Sequence, residues 1–226
     1  MTGLTLKLIA VISMLLDHTG HVLFPGQIWF RYVGRLAFPI YSFLLAEGFF
    51  HTKNLRSYMF RLLFFGIISE IPFDLAFYDT VFTFEHQNVF WTLLLGLIAI
   101  SVMSMISFEN IYLTYVLRIM SVVPFALAAQ FMHTDYRWVG VSMIACMYLF
   151  HDNEILRVAS GTVFMLPFFT NEIEYIGVLS FIPLHFYNGR RGIRRGTVGR
   201  IFQICFYLFY PVHLLALTYI RYRLWT

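Results

Sequence analysis

The stretch LTLKLIAVISMLLDHTGHVLF, Leu4–Phe24, decides the fold. Its only charge before Asp17 is Lys7, and it reaches the roughly 20 apolar residues that a helix needs to cross a bilayer. It is too long for a cleaved signal segment, no small-residue cleavage site follows it, and similar runs recur along the chain. Near its far end it turns polar, with Asp17, His18 and His21. Ionisable groups inside a membrane are costly, and they mark functional sites.

Composition agrees with that reading. Of 226 residues, 59% are hydrophobic and 12% charged, whereas soluble domains carry roughly a quarter charged residues. The 26 Phe and 14 Tyr suit lipid-facing helices with interfacial aromatics. Cys146 and Cys205 lie inside apolar runs without metal-ligand spacing. In a chain of this class a net charge of +4 is loop charge that sets orientation, so no nucleic-acid partner is expected.

The expected fold is all-α, a polytopic transmembrane helix bundle forming a single integral membrane domain over residues 1–226. About nine spans are expected: Leu4–Phe24, Val33–Phe50, Tyr58–Phe77, Val89–Ser107, Ile111–Met132, Trp138–Phe150, Ile155–Phe169, Tyr175–Tyr187 and Ile201–Tyr222. The sixth, seventh and eighth are short. With nine spans, Lys7, Lys53, Arg56, Arg61, Arg118, Arg157, Arg190, Arg191, Arg194, Arg195 and Arg200 fall on the side of the N-terminus. Arg31, Arg35, Arg137, Arg221 and Arg223 fall on the other. Eleven against five places the N-terminus in the cytoplasm of a multi-pass cell-membrane protein, although Arg221 and Arg223 oppose the last span. No inverted repeat of the transporter kind is evident.

Polar residues then sort into two clusters. Asp17, His18, His21, Arg35, Glu70, Asp74, Gln87, Asn88 and His213 fall at one outer level, delivered by separate spans. A histidine near neutrality can take a proton from an incoming nucleophile, and an acid can orient it. Asp17 points about 100° away from His18 on a helix, so the orienting group can come from another span. His18 and His21 are three apart, whereas helical zinc sites favour pairs four apart with a third ligand, so no metal is expected. The second cluster is cytoplasmic: Glu47, Gly48, His51, Lys53, Arg56 and Arg61, with YNGRRGIRRG at Tyr187–Gly196. Its arginines could pair with phosphates in bidentate fashion, or simply serve topology and anionic lipid.

KLIAVISMLLDHTG, GRLAFPIYSFLLAEGF, ISEIPFDLAF, QNVF, FYNGRRG and YLFYPVHL, in order from Lys7, resemble the TraX family over nearly the whole chain. Its members are integral membrane proteins, and the name-giving one is associated with N-terminal acetylation of conjugative pilin. The family is similar to transmembrane acyltransferases that carry acetyl groups from cytoplasmic acetyl-CoA to acceptors across the membrane. The resemblance implies His18 as general base, Asp17 and Arg35 as its polarising neighbours, Glu70 and Asp74 as acceptor or structural contacts, and Asn188, Gly189, Arg190 and Arg191 as the cytoplasmic mouth for acetyl-CoA. Together with the two polar clusters this gives an expected catalytic set of His18, Asp17, Arg35 and Glu70 and an expected substrate side of His21, Asp74, Gln87, Asn88 and His213. Glu47, His51 and Arg61 join the expected acetyl-CoA mouth. The acceptor is expected to be an amine or hydroxyl of a pilin-like peptide or a glycan. A proton-coupled small-molecule transporter and a non-catalytic scaffold of a secretion or conjugation apparatus are the alternatives.

Overall fold

The computed structural model describes residues 1–166, 173–193 and 196–225. Among them the fold is all helical: α1 Gly3–Leu23, α2 Ile28–Gly34, α3 Ala37–His51, α4 Leu55–Tyr78, α5 Val89–Met105, α6 Ile111–Phe131, α7 Arg137–Leu149 and α8 Glu154–Val163. A 3₁₀ helix at Glu174–Ser180 leads into α9 Phe181–His185, and α10 runs over Thr197–Trp225. Side-chain caps start several of them. Thr2 accepts from the Thr5 N–H, Asn110 from those of Tyr112 and Leu113, and Asn153 from that of Leu156.

Helices occur at all nine expected positions, but among the described residues length and apolarity carry a crossing for four stretches. These are Gly3–Leu23, Ile28–His51 (α2 with α3), Ile111–Phe131 and Thr197–Leu224. The sixth, seventh and eighth expected spans are short in the structure as well, and α7, at thirteen residues, reaches about 20 Å. At 1.5 Å per residue the ten residues of α8 reach about 15 Å, half the hydrocarbon thickness. Residues 167–169 of the seventh span, and Arg194 and Arg195, lie outside the described residues.

The chain divides into two compact units. The first comprises Met1–Tyr41, Ile67–Thr83 and Met165–Thr226. In it α1 packs on α2 and on α10. Glycines let α1 and α2 approach: a Cβ at Gly20 would stand 2.3 Å from the Phe30 Cβ, and one at Gly34 2.3 Å from the Asp17 carboxylate. Leu6, Ala10, Phe73 and Leu214 are among its buried residues.

The second unit comprises Ser42–Gly66 and Phe84–Phe164, and α5, α6 and α7 pack against one another within it. Leu97, Ile100, Met103, Ile144 and Met147 are buried there. Gln87 and Asn88 serve this unit's own joints. Asn88 caps α5 through the Phe90 N–H and donates its Nδ2 to the Gly66 carbonyl at 2.8 Å. Gln87 exchanges backbone bonds with His133 and Asp135 at 3.0 and 2.9 Å.

Candidate functional site

The polar residues of the first unit form two adjoining arrangements on α1. His18 turns toward α10, where its Nδ1 lies 2.7 Å from Nε2 of His213. Nδ1 of His213 in turn meets the Phe209 carbonyl at 2.6 Å. A carbonyl only accepts, so His213 Nδ1 carries the hydrogen. In a neutral pair, His213 Nε2 is therefore the acceptor and His18 Nδ1–H the donor. This leaves Nε2 of His18 with its lone pair, a tautomer assigned from the hydrogen-bond network. The two rings lie within 3° of parallel. Phe77 and Tyr210 stand edge-on to His18 at 5.3 and 5.8 Å, and both histidines are buried. Pro211, inside α10, supplies no N–H of its own and interrupts the helix ladder beside this pair.

Asp17, one residue away on the helix, faces elsewhere. Its Oδ1 accepts from Arg35 Nη2 at 2.6 Å and lies 3.4 Å from Arg31 Nε. Arg35 also donates through Nη1 to Glu174, and Arg31 Nη1 lies 3.0 Å from Nδ1 of His21. Arginine has no acceptor, so that His21 nitrogen bears the lone pair. Two guanidiniums and two carboxylates thus balance. Arg35, 6% exposed, sits where α2 gives way to α3. Burial raises the Glu174 carboxyl above its ordinary value, with Arg35 pulling the other way.

Several expectations find definite places. His18 meets another histidine rather than an orienting acid, and His213, expected on the substrate side, is its hydrogen-bond partner. Arg31 and Glu174, which complete the charge network, carry no motif. Glu70 and Asp74 are buried on α4, and Asp74 Oδ2 accepts from the Thr83 N–H at 2.9 Å. Its Oδ1 has no partner among the described residues.

The basic turn lies at the opposite end of α1. The Arg190 and Arg191 carbonyls accept from the N–H groups of Gly3 and Leu4 at 2.8 and 3.0 Å, and Asn188 donates to the Met1 carbonyl at 3.0 Å. These bonds satisfy N–H groups that a helix start leaves open. Gly189 and Gly192 hold φ of 72° and 79°, which the turn requires. The side chains of Arg190 and Arg191 are exposed and make no hydrogen bond to a described acid.

Glu47, His51 and Arg61 fall in the second unit. Glu47 Oε2 binds Nε2 of His151 at 2.7 Å, and Asp152 holds the other ring nitrogen at 2.8 Å. The Glu47 bond raises the His151 imidazole above its ordinary value. His51 bonds the Glu47 carbonyl at 2.9 Å, and Arg61 lies over the Tyr58 ring. Among the described residues no group of three or more His, Cys, Asp or Glu is placed to hold a metal ion.

The family model described as TraX protein matches residues 2–221. A curated relative from Dichelobacter nodosus, a probable fimbrial assembly protein, FimC of serogroup H1, is 34% identical over 239 residues. That alignment covers 94% of this chain and 92% of the relative. An uncharacterized protein of Rickettsia prowazekii (strain Madrid E) is 30% identical over 91 residues, 40% of this chain and 33% of its own. No solved structure matches. The chain belongs to the TraX family.

Proposed function

We propose that the protein is a membrane-embedded acetyltransferase of fimbrial assembly. It moves an acetyl group from cytoplasmic acetyl-CoA to an amine or hydroxyl of a pilin-like peptide or a glycan near the outer face. The N-terminus and the basic turn face the cytoplasm. One observation carries the reading. Within a single unit, α1 joins the exposed arginine turn at its start to a buried histidine with a free Nε2 lone pair. The fifteen helical steps from Gly3 to His18 span about 22 Å, a distance of the order that an extended phosphopantetheine arm covers.

Arg190 and Arg191 suit the donor's phosphates, which guanidinium groups pair in bidentate fashion. His18 Nε2 takes the acceptor's N–H or O–H proton while the acceptor heteroatom bonds to the thioester carbonyl carbon. Charge arising on His18 is shared with His213 through their hydrogen bond. The Arg35–Arg31 pair stabilises the oxyanion, a task for which a guanidinium at low dielectric is well suited. Collapse breaks the C–S bond, and the departing sulfur recovers the proton from His18. Glu70 and Asp74 contact the acceptor.

The relative's name as an assembly protein favours a second reading, a non-catalytic scaffold. Mass spectrometry of surface peptides and glycans separates the two. Cells carrying the wild type should show products heavier by one acetyl group, and cells carrying His18→Ala should lack them. A scaffold leaves both sets identical while the fimbriae still assemble.

A further inference from the structure

We propose that Lys7 joins Arg190 and Arg191 in a three-cation site for a diphosphate, which makes the donor a nucleotide-bound thioester. The thioester rests on the acetyl-transfer reading, whereas the diphosphate stands on charge and geometry alone.

Lys7 lies four and three residues after Gly3 and Leu4, whose N–H groups bond the Arg190 and Arg191 carbonyls. Residues three and four apart are neighbours on a helix surface. A Cβ at Gly192 would stand 3.0 Å from that of Leu4, so the turn lies directly against α1. Side chains tilt toward the start of a helix, so Lys7 leans back over this turn. Its Nζ stands 5.5 Å from the centre of the Phe206 ring on α10, and the Arg191 charge bears on it. A ring face holds a cation in place without neutralising it.

No acid balances this end of the unit. Residues 1–16 and 175–226 contain no Asp or Glu. Asp17 and Glu174 are taken by Arg35, Asp74 by Thr83 and Asp79 by Arg221. Lys7, although partly buried, makes no ion pair or hydrogen bond among the described residues. Like charges gathered without a counterion repel, and a bound anion relieves them. A phosphodiester, in a lipid headgroup or a carrier-protein arm, brings one negative charge; a diphosphate brings two. The arginines suit bidentate pairing with its phosphates, and the lysine adds a point charge.

The placement also leads to the base. Lys7, Val11, Met14 and His18 follow one another at four, three and four residues, so they share one face of α1. That face meets α10 through Phe206 at one end and His213 at the other. A donor anchored at Lys7 has eleven helical steps, about 16 Å, to His18.

The full chain in phosphatidylcholine nanodiscs is titrated by calorimetry with two ligands. Dephospho-coenzyme A carries the diphosphate, and the methyl phosphodiester of pantetheine mimics a carrier-protein arm. The first should bind at least tenfold tighter, and inorganic pyrophosphate should displace it better than inorganic phosphate does. Lys7→Gln should weaken dephospho-coenzyme A about tenfold and the phosphodiester less than threefold. Lys7→Arg, which keeps the charge, should stay within threefold of wild type. Arg191→Gln, on the exposed turn, should cost about as much as Lys7→Gln, and melting curves confirm that each variant folds. Equal binding of the two ligands, or full affinity in folded Lys7→Gln or Arg191→Gln, overturns the inference. A lipid occupant shows instead as Lys7-dependent retention of phosphatidylglycerol from mixed nanodiscs with dephospho-coenzyme A affinity unchanged, which overturns it too. Labelled acetyl transfer is scored separately. Lys7-dependent binding without transfer refutes acetyl transfer alone, and transfer unaffected by Lys7→Gln refutes the diphosphate site alone.

Discussion

At the scale of single residues, the His18–His213 bond makes a kinetic prediction. His213 positions and polarises His18 without taking the acceptor proton itself. His213→Ala should therefore lower kcat by about 10²-fold, within the range for general acid–base assistance, with KM for acetyl-CoA nearly unchanged. Steady-state kinetics of labelled acetyl transfer checks this. Asp17→Ala acts on stability instead. It leaves Arg31 and Arg35 short of an anion in a buried setting, a loss of about 3 kcal/mol by the scale for broken buried pairs. Denaturation in detergent reads it. His151 gives a pH dependence. Its raised value means the folded protein holds the proton more tightly than the unfolded chain does. The Glu47 contact therefore stabilises fully below the ordinary value of 6.5 and is lost as pH rises through the higher folded value. Tm should fall on raising pH from about 6 toward 8.5, and Glu47→Gln should flatten that slope. Residue-level chemistry was only partly legible in sequence. Asp17, His18 and Arg35 stand out because charge inside an apolar run is rare. Nothing local reveals that His18 meets a histidine 195 positions away, or that Glu174 closes the network on Arg35.

At the scale of elements, the closeness of α1 and α2 depends on glycine. Gly34→Ala would drive a methyl into Asp17, so it should destabilise by about 1–3 kcal/mol, the usual cost of overpacking. Gly26→Ala meets nothing within 4 Å and should be nearly neutral, which makes it the matched control. Thermal melts of the two variants check the pair. Replacing Asn110 by Ala should cost about 1 kcal/mol, because the α6 start loses acceptors for two N–H groups. Elements were the most legible level. Long apolar runs such as Leu4–Phe24 and Ile111–Met132 fix helix positions within a few residues. Sequence reading missed the break between α2 and α3, because Gly34–Arg35 sits inside an otherwise apolar run. It also counted three crossings in the α7–α9 stretch, whose helices fall short of the roughly 20 residues that a crossing needs.

At the scale of the whole molecule, the four stretches that, among the described residues, are long and apolar enough to cross a bilayer agree with a helical membrane protein of the TraX family. Composition made that class legible at once. The division into two units was not legible, because no linker or shift in composition marks Tyr41, Gly66 or Thr83. Acetyl transfer by this molecule depends on His18 acting as the base. Its most direct measurement uses purified protein reconstituted with labelled acetyl-CoA and a pilin-like acceptor peptide. Wild type should transfer label to the peptide, and His18→Ala, folded by its melting curve, should fall to background. Transfer by His18→Ala at the wild-type rate would contradict the account.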